Sequence, residues 1–379
     1  MLLALERDQE LFQETTVKLL NELVPVRELR RLRDDPQGFS DDYWRRGAEL
    51  GWTSLLVGEA HGGGSIGRDG LVDLAIVAYE FGRHAAPGPL AVVNVVAATL
   101  SEAGGTDHED AIDAMLSGAS IATWCLNEPR PNERIDKLSV DIHTEGHEVV
   151  LHGVKRPVES GARADYFLVT GRSAAGLTQV LVPSDAPGLS VAPMNTVDLT
   201  RRFSVVTFDN VRLPASALVG GEGQAQEQMR RQLQRSVCLV SAETVGTMQA
   251  AFDMTVEWAF DRYSFGRPLA SYQELKHRFA DMKTWLEASH AISDAATQAV
   301  ASQSANAPDL VCSAKAFIGE YGGELIQDCV QIHGGIGVTF DHDLHLYLRR
   351  HTLNRALYGT ASEHRQRLAD LAQWPEEAA

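Results

Sequence analysis

Apolar residues recur at helical spacing from Leu5 to about Gly118. Leu11, Val17, Leu20 and Val24 lie three to six residues apart, and Leu71, Leu74, Val77 and Phe81 follow one face. This pattern predicts a helical unit over residues 1–118. Between about Ala119 and Gly221 the period becomes two, in short runs at Glu148 to His152, Asp165 to Val169, Thr178 to Val182 and Ser204 to Phe208. Pro183, Gly188 and Asp209-Asn210 punctuate them, so residues 119–221 read as a small antiparallel β-domain. Helical spacing returns from Gln224, with Val245, Met248, Phe252, Val256 and Ala259 on one side of a long amphipathic segment. A second helical unit over residues 222–379 is therefore expected, with Gly220-Gly221-Glu222-Gly223 at its boundary. Helix, then sheet, then helix gives an α+β chain that is mostly α. No repeat of fixed period and no low-complexity tract interrupts it.

Composition narrows the function classes. With 44% hydrophobic and 22% charged residues the chain is an ordinary globular one, and its 379 residues suffice for two or three packed units. The 34 basic residues against 51 acidic ones leave a net charge of −17, a field that repels phosphate backbones and anionic membrane surfaces. Neither nucleic acid nor membrane is an expected partner. Cys125, Cys238, Cys312 and Cys329 are far apart and form no C-x-x-C pair, which reads as reduced thiols in a cytoplasmic protein. Glu6, Arg7 and Asp8 occupy the place where a signal peptide needs its apolar region, and the apolar stretch from Pro89 to Leu100 is too short to span a bilayer.

Two motifs suggest chemistry that their surroundings do not support. Gly62, Gly64 and Gly67 form a G-x-G-x-x-G after Leu55-Leu56-Val57, with Glu80 downstream. No alternation of strands and helices surrounds them, and a glycine-rich loop between helices is the expected reading. His342 and His345 lie three apart near Asp341, Asp343 and His351. Acidic residues at a helix start, and Arg349 and Arg350 later in it, suit the helix dipole and its caps without a metal, and no metal site is expected.

Two further segments are more specific. Arg262-Tyr-Ser-Phe265-Gly266-Arg-Pro268-Leu, followed by Ser271-Tyr-Gln273, reads as a long helix, a sharp break and a second helix. An arginine at such a break can grip a phosphate bidentately. In Gln331-Ile-His-Gly334-Gly335-Ile-Gly337 a helix runs into glycines whose N–H groups can approach an anion without a Cβ in the way. Taken alone, the first is equally a helical hairpin turn and the second equally a C-cap.

Together, in this order, these segments resemble the acyl-CoA dehydrogenase family, and within it actinobacterial-type members that lack the usual C-terminal glutamate. The resemblance spans essentially the whole chain. Leu50-Gly-Trp through Gly62-Gly63 to Tyr79-Glu80-Phe-Gly82-Arg looks like the family's first helical domain. Trp124-Cys-Leu-Asn-Glu128-Pro129 looks like the start of its flavin-facing β-domain, and Asp198-Leu-Thr-Arg-Arg through Pro214 to Gly220 like its end. The resemblance implies an N-terminal helical domain, a middle antiparallel β-barrel domain and a C-terminal four-helix bundle. It also implies FAD, an acyl-CoA substrate, an electron-transfer flavoprotein or similar acceptor, and a homo-tetramer or a hetero-tetramer with a paralogous subunit. In the family the motif residues hold the pyrophosphate and adenosine end of a neighbour's flavin. The resemblance therefore nominates Arg262, Phe265, Gln273, Gln331, Gly334 and Gly335, with Cys125, Leu126 and Asn127 on the β-domain side.

The departures are as informative. Where the family continues after Glu-Pro with Gly-x-Gly-Ser-Asp, this chain has Arg130-Pro-Asn-Glu-Arg, and the aromatic that commonly flanks the flavin corresponds to Pro157. The family's usual base lies in Tyr-Glu-Gly-Thr, whereas this chain reads Leu357-Tyr358-Gly359-Thr360. Dehydrogenation of a thioester requires a base for the α-proton, and a tyrosine with an ordinary pKa of about 10 is a poor substitute for a carboxylate. Some family members carry the base on the first long helix of the C-terminal domain, at a slot that falls on Ser236. Two turns further on, Glu243 stands in the small, apolar stretch VCLVSAETVG. Glu243 is either the base or the partner of an arginine on a neighbouring helix. The functional expectations are accordingly a dehydrogenase with Glu243 as base, an FAD-contributing partner subunit whose base comes from another chain, or a flavin oxidase or monooxygenase on the same fold.

Overall fold

A computed structural model describes residues 5–129 and 137–372. Among these residues five helices come first: α1 (Arg7–Leu23), α2 (Asp41–Glu49), α3 (Gly70–Arg83), α4 (Leu90–Ala103) and α5 (Glu109–Leu116). Seven strands follow: β1 (Ala122–Cys125), β2 (Asp141–Glu145), β3 (Glu148–Glu159), β4 (Tyr166–Ser173), β5 (Gly176–Pro183), β6 (Leu189–Met194) and β7 (Phe203–Pro214). The chain then runs through α6 (Gln226–Asp261), the hairpin β8 (Tyr263–Ser264) and β9 (Arg267–Pro268), and α7 (Gln273–Ala301), α8 (Ala307–His333), α9 (Leu344–Asn354) and α10 (Ala361–Leu371). No helix among the described residues is long and apolar enough to cross a membrane.

The helices form where the apolar stripe and the caps agree. On α3, Leu71, Leu74, Val77 and Phe81 are all buried, as their spacing predicts. On α1 Leu20 is buried as expected, as is Val24 just past its end, but the rest of the buried stripe is Phe12, Thr16 and Leu19, and Leu11 is turned outward at 62% exposure. The Ser40 side chain accepts from the Tyr43 N–H at the start of α2, Pro308 sits in the first turn of α8, and Thr360 with Glu363 forms a reciprocal cap at the start of α10.

The seven strands make one sheet in the order β1-β4-β2-β3-β7-β6, with β5 paired to β4. The periodic runs expected from the sequence fall within β3, β4, β5 and β7. Their inward side chains, including Val149, Leu151, Phe167, Val169, Val180, Val182, Val206 and Phe208, form one buried cluster. The sheet is not wholly antiparallel as expected: β1 runs parallel to β4 with Ala122 opposite Tyr166, and β2 touches β4 in parallel at Asp141 and Arg172. The connection from β1 to β4 runs through β2 and β3, so it does not have to be a tight hairpin.

Contacts divide the chain into two compact units. One contains Glu6–Val77 and Ala86–Ser236, and the other gathers Ala78–Ala85 with the chain from Val237 onward. The division falls inside α6, whose 36 residues span roughly 54 Å at 1.5 Å each, so one continuous helix serves both units. In the first unit the buried Gln232 side chain donates to Thr99 Oγ1 at 2.7 Å and accepts from Gln179 Nε2 at 2.8 Å. In the second unit α6 packs on the end of α3 without room for side chains. A Cβ on Gly82 would lie 1.8 Å from the Glu243 carbonyl, and one on Gly246 would lie 2.0 Å from the Tyr79 carbonyl. Beyond α6, α8 packs against α7, α9 and α10.

Candidate functional site

The last turn of α6 and the end of α8 meet through stacked rings. Trp258 stacks on His333 with centroids 5.3 Å apart and planes 17° apart, and His342 lies 4.6 Å from His333. One turn beyond Trp258, Arg262 directs its guanidinium over the indole at 5.9 Å. Immediately after His333, Gly334 adopts a φ of +66° with open space where a Cβ would be, and Gly335 is equally open. Arg262 and the Gln331-Gly334-Gly335 segment are therefore neighbours, as both motifs require. Gln331 and Gln273 are exposed, and Gln273, in the first turn of α7, is hydrogen bonded to the His277 imidazole at 3.1 Å. Arg278, further along α7, holds Asp328 of α8 at 2.6 Å.

Phe265 and Gly266 form the two-residue loop of the β8–β9 hairpin, with φ of +50° and +80°. A primed turn needs both residues in this region, which costs glycine little and phenylalanine more. The ring nevertheless stands 98% exposed, and Tyr263 (64%) and Val338 (75%) lie outward beside these same motifs.

Glu243 lies elsewhere in this unit and is engaged. Its Oε1 accepts from Arg350 Nη1 at 2.5 Å, with side-chain exposures of 7% and 0%. Arg350 also donates through Nη2 to the Ala85 carbonyl at 3.1 Å, while Tyr347 donates its hydroxyl to the Arg83 carbonyl at 3.0 Å. Of the two roles open to Glu243 in the sequence, the geometry contains the arginine pair from a neighbouring helix. Tyr358, in the family's base slot, has a φ of +59°, and His364 Nε2–H donates to its carbonyl at 3.0 Å. Gly359 follows with φ +108°, and a Cβ there would come within 2.9 Å of that imidazole nitrogen.

Sequence reasoning missed a buried amine behind this turn. Lys315 of α8 donates to the Asn354 carbonyl at 2.5 Å, and burial pulls its pKa down to about 7 against the opposing pull of Glu243 from α6 and Glu363 from α10. His351 on α9 and His364 on α10 sit near enough to feel its charge, and burial keeps both imidazoles neutral, at about 3 and about 4. Because the folded value lies below the unfolded one, the folded chain binds fewer protons between pH 7 and about 10. Stability should rise with pH in that window by at most about 1.4 kcal/mol per unit. Urea unfolding from pH 7 to 10 checks this: Lys315→Met should remove the rise, and an identical slope in the variant would exclude Lys315 as its source.

The β-domain residues belong to the other unit. The Cys125 thiol is buried in the sheet core, where burial raises its pKa, so only its main chain can face a ligand. Leu126 offers its carbonyl to Lys155 Nζ at 2.9 Å, and the Asn127 carbonyl accepts from the Arg156 N–H at 2.8 Å. Glu128 is the hub. Its Oε1 takes Lys155 Nζ at 2.8 Å and the Val140 N–H at 3.0 Å, and its Oε2 takes the Ser139 N–H at 2.7 Å and hydroxyl at 2.5 Å. Pro157 is exposed where β3 bulges against β7. Residues 130–136, where the sequence departs from Gly-x-Gly-Ser-Asp, lie outside the described residues.

The rejected motifs also have a place. The residues before Gly62 form turns rather than a strand, and the loop is held by Asp73, which accepts from the N–H groups of Ile66 at 2.7 Å and Gly67 at 2.9 Å. Among the described residues no three of His, Cys, Asp and Glu are arranged to hold a metal.

The C-terminal motif residues fit a flavin's pyrophosphate on chemical grounds. Among the described residues none is hydrogen bonded or ion paired to the exposed Arg262 guanidinium, and the adjacent glycine turn is open to an anion. Comparisons with known proteins agree. The family model described as acyl-CoA dehydrogenase, N-terminal domain, matches residues 6–114, and that for the acyl-CoA dehydrogenase C-terminal domain matches residues 221–372. The acyl-CoA dehydrogenase IpdE2 of Mycolicibacterium smegmatis is 25% identical over 96% of this chain and 98% of its own length. A solved structure described as a variant of the Tcur3481-Tcur3483 steroid ACAD is 27% identical, with a TM-score of 0.86 over 96% of this chain and 97% of that one. A glutaryl-CoA dehydrogenase from Mycobacterium smegmatis, described as a complex with FADH2, shares the fold at 18% identity and a TM-score of 0.87, covering 97% of this chain and 94% of its own. With both family domains matched in order over most of its length, the chain belongs to the FAD-dependent acyl-CoA dehydrogenase family.

Proposed function

We propose that this chain is the FAD-contributing subunit of a hetero-oligomeric acyl-CoA dehydrogenase, in which a paralogous chain supplies the catalytic base. The observation that carries this reading is the engagement of Glu243 by Arg350, in a chain whose usual base slot holds Tyr358. A carboxylate that is to remove an α-proton must face the substrate, and this one is turned into the helices against a guanidinium. Arg262, Gln273, Gln331 and the Gly334-Gly335 turn hold the pyrophosphate end of the flavin, with Phe265 beside them. Bound FAD supplies the acceptor for the β-hydrogen. Tyr263, Phe265 and Val338 are exposed beside these motifs, where a partner chain could cover them. A relative of 27% identity whose description couples two chain names with the word steroid supports both the pairing and a steroid-derived acyl group. An electron-transfer flavoprotein or similar acceptor would then reoxidise the flavin.

The test is anaerobic mixing with straight, branched and steroid side-chain acyl-CoA thioesters while flavin absorbance is followed. The chain purified alone should not bleach its flavin, the complex co-purified from the native cell should, and intact-mass measurement should show two kinds of subunit. Full bleaching by a homo-oligomer of this chain would overturn the proposal. Loss of that bleaching in a folded Glu243→Gln variant would then identify Glu243 as the base.

A further inference from the structure

We propose that Trp258 is a positioning residue for flavin capture, a strut that holds the Arg262 guanidinium and the Gly334 turn in register. The inference rests on the reading that these two elements grip the FAD pyrophosphate.

The two gripping elements come from helices that do not follow one another, and each would be loosely held on its own. Arg262 follows the last residue of α6 and is exposed, so its long side chain has many rotamers to lose on binding an anion. The indole beneath it, 5.9 Å from the guanidinium carbon, favours the subset in which the cation lies over the ring. The arginine main chain is fixed as well: its N–H donates to the Trp258 carbonyl at 2.9 Å, and its own carbonyl accepts from Leu269 across the hairpin at 2.8 Å.

The indole also meets His333, the residue directly before Gly334. His333 Nδ1–H donates to the Cys329 carbonyl at 2.8 Å, which fixes the tautomer and the ring plane, and burial disfavours the charged imidazole. A neutral, oriented imidazole offers a flat face, and the 17° interplanar angle shows that Trp258 uses it. The ring stack thereby fixes the last residue of α8, and with it the direction in which the Gly334 and Gly335 N–H groups emerge. His342 closes the cluster, lying edge-on to Trp258 at 6.2 Å. Trp258 itself makes no grip on phosphate: it acts through Arg262 and His333.

The experiment is FAD titration of the apoprotein, prepared in its full assembly, by flavin fluorescence, with thermal unfolding of each apo variant alongside. Trp258→Leu should weaken FAD about tenfold, as loss of one cation–π contact and one ring stack implies. Trp258→Phe should recover most of the affinity. The double variant Trp258→Leu, Arg262→Ala should bind worse than Arg262→Ala alone, but by less than the full Trp258→Leu loss, because only the part carried by the His333 stack is then left to lose. Wild-type affinity in Trp258→Leu, or losses that simply add, would overturn the proposal. If Trp258→Leu does not fold, His333→Leu breaks the same stack from the other side and should also weaken FAD, by less than the tenfold loss because the contact to Arg262 remains, and wild-type affinity there also overturns it. If Arg262→Ala retains wild-type FAD affinity, the reading of the grip itself fails, an outcome distinct from failure of the strut alone.

Discussion

Replacing Glu243 by Gln is expected to lower the stability of the chain by about 3 to 5 kcal/mol, the usual cost of breaking a buried ion pair by changing one partner. Arg350 has no exposed surface, and its second donor already holds the Ala85 carbonyl at the end of α3. The variant would remove a 2.5 Å charge-assisted contact from a guanidinium that is wholly buried. Arg350→Gln should cost a similar amount, whereas the double change Glu243→Met, Arg350→Met removes both charges and should lie within about 1 to 2 kcal/mol of wild type. Urea denaturation midpoints of the four proteins measure these differences. A dedicated catalytic base predicts the opposite pattern: normal stability in Glu243→Gln with loss of flavin reduction. If Glu243→Gln unfolds at the wild-type urea midpoint, the ion pair is not what the residue is for.

Glu128→Ala is expected to be comparably disruptive in the other unit, at about 3 to 5 kcal/mol, because Lys155 is wholly buried and among the described residues would keep only the Leu126 carbonyl. The same carboxylate carries an acid dependence. Burial pushes its pKa up, but the charge of Lys155 and hydrogen bonds from Lys155, Ser139 and Val140 outweigh this and hold it below the ordinary carboxyl value of 4.5. A group with a lowered folded pKa contributes stability that is present above the unfolded value and is lost as pH falls through the folded one. Wild-type protein should therefore lose this part of its stability below about pH 4.5, and Glu128→Ala should show a shallower decline there. Denaturation midpoints at pH 7, 5, 4 and 3 measure it. Parallel pH curves for the two proteins would show that the Glu128 carboxylate is already uncoupled from its partners.

Both pairs leave a trace in the sequence. Lys155 has the same parity as Val149 and Leu151 on β3, so a strand that alternates inward and outward puts its amine in the core. Arg350 follows Leu344 and Tyr347 at intervals of three, on the stripe that α9 buries, and Glu243 stands in an apolar run of α6. A charge at an inward position needs an opposite charge, and that much could have been read from the pattern. Which charge it meets could not. Lys155 and Glu128 are 27 residues apart and Arg350 and Glu243 are 107 apart, so each pair depends on how separate elements dock.

The sequence by itself determined what short-range periodicity and local stereochemistry carry: the buried stripe of α3, the strands β3, β4, β5 and β7, the break at Phe265-Gly266 and the glycine turn at the end of α8. Each depends on side chains within one or two turns or strand repeats of each other, whose burial follows from spacing alone. The motif order also carried the family. Tertiary structure alone decided the parallel pairing of β1 with β4, the division of α6 between two units, the stacking of Trp258 on His333 and the engagement of Glu243 by Arg350. These are contacts between segments distant along the chain, selected by the simultaneous packing of several elements and by the need of every buried charge for a partner, and no local spacing encodes that choice.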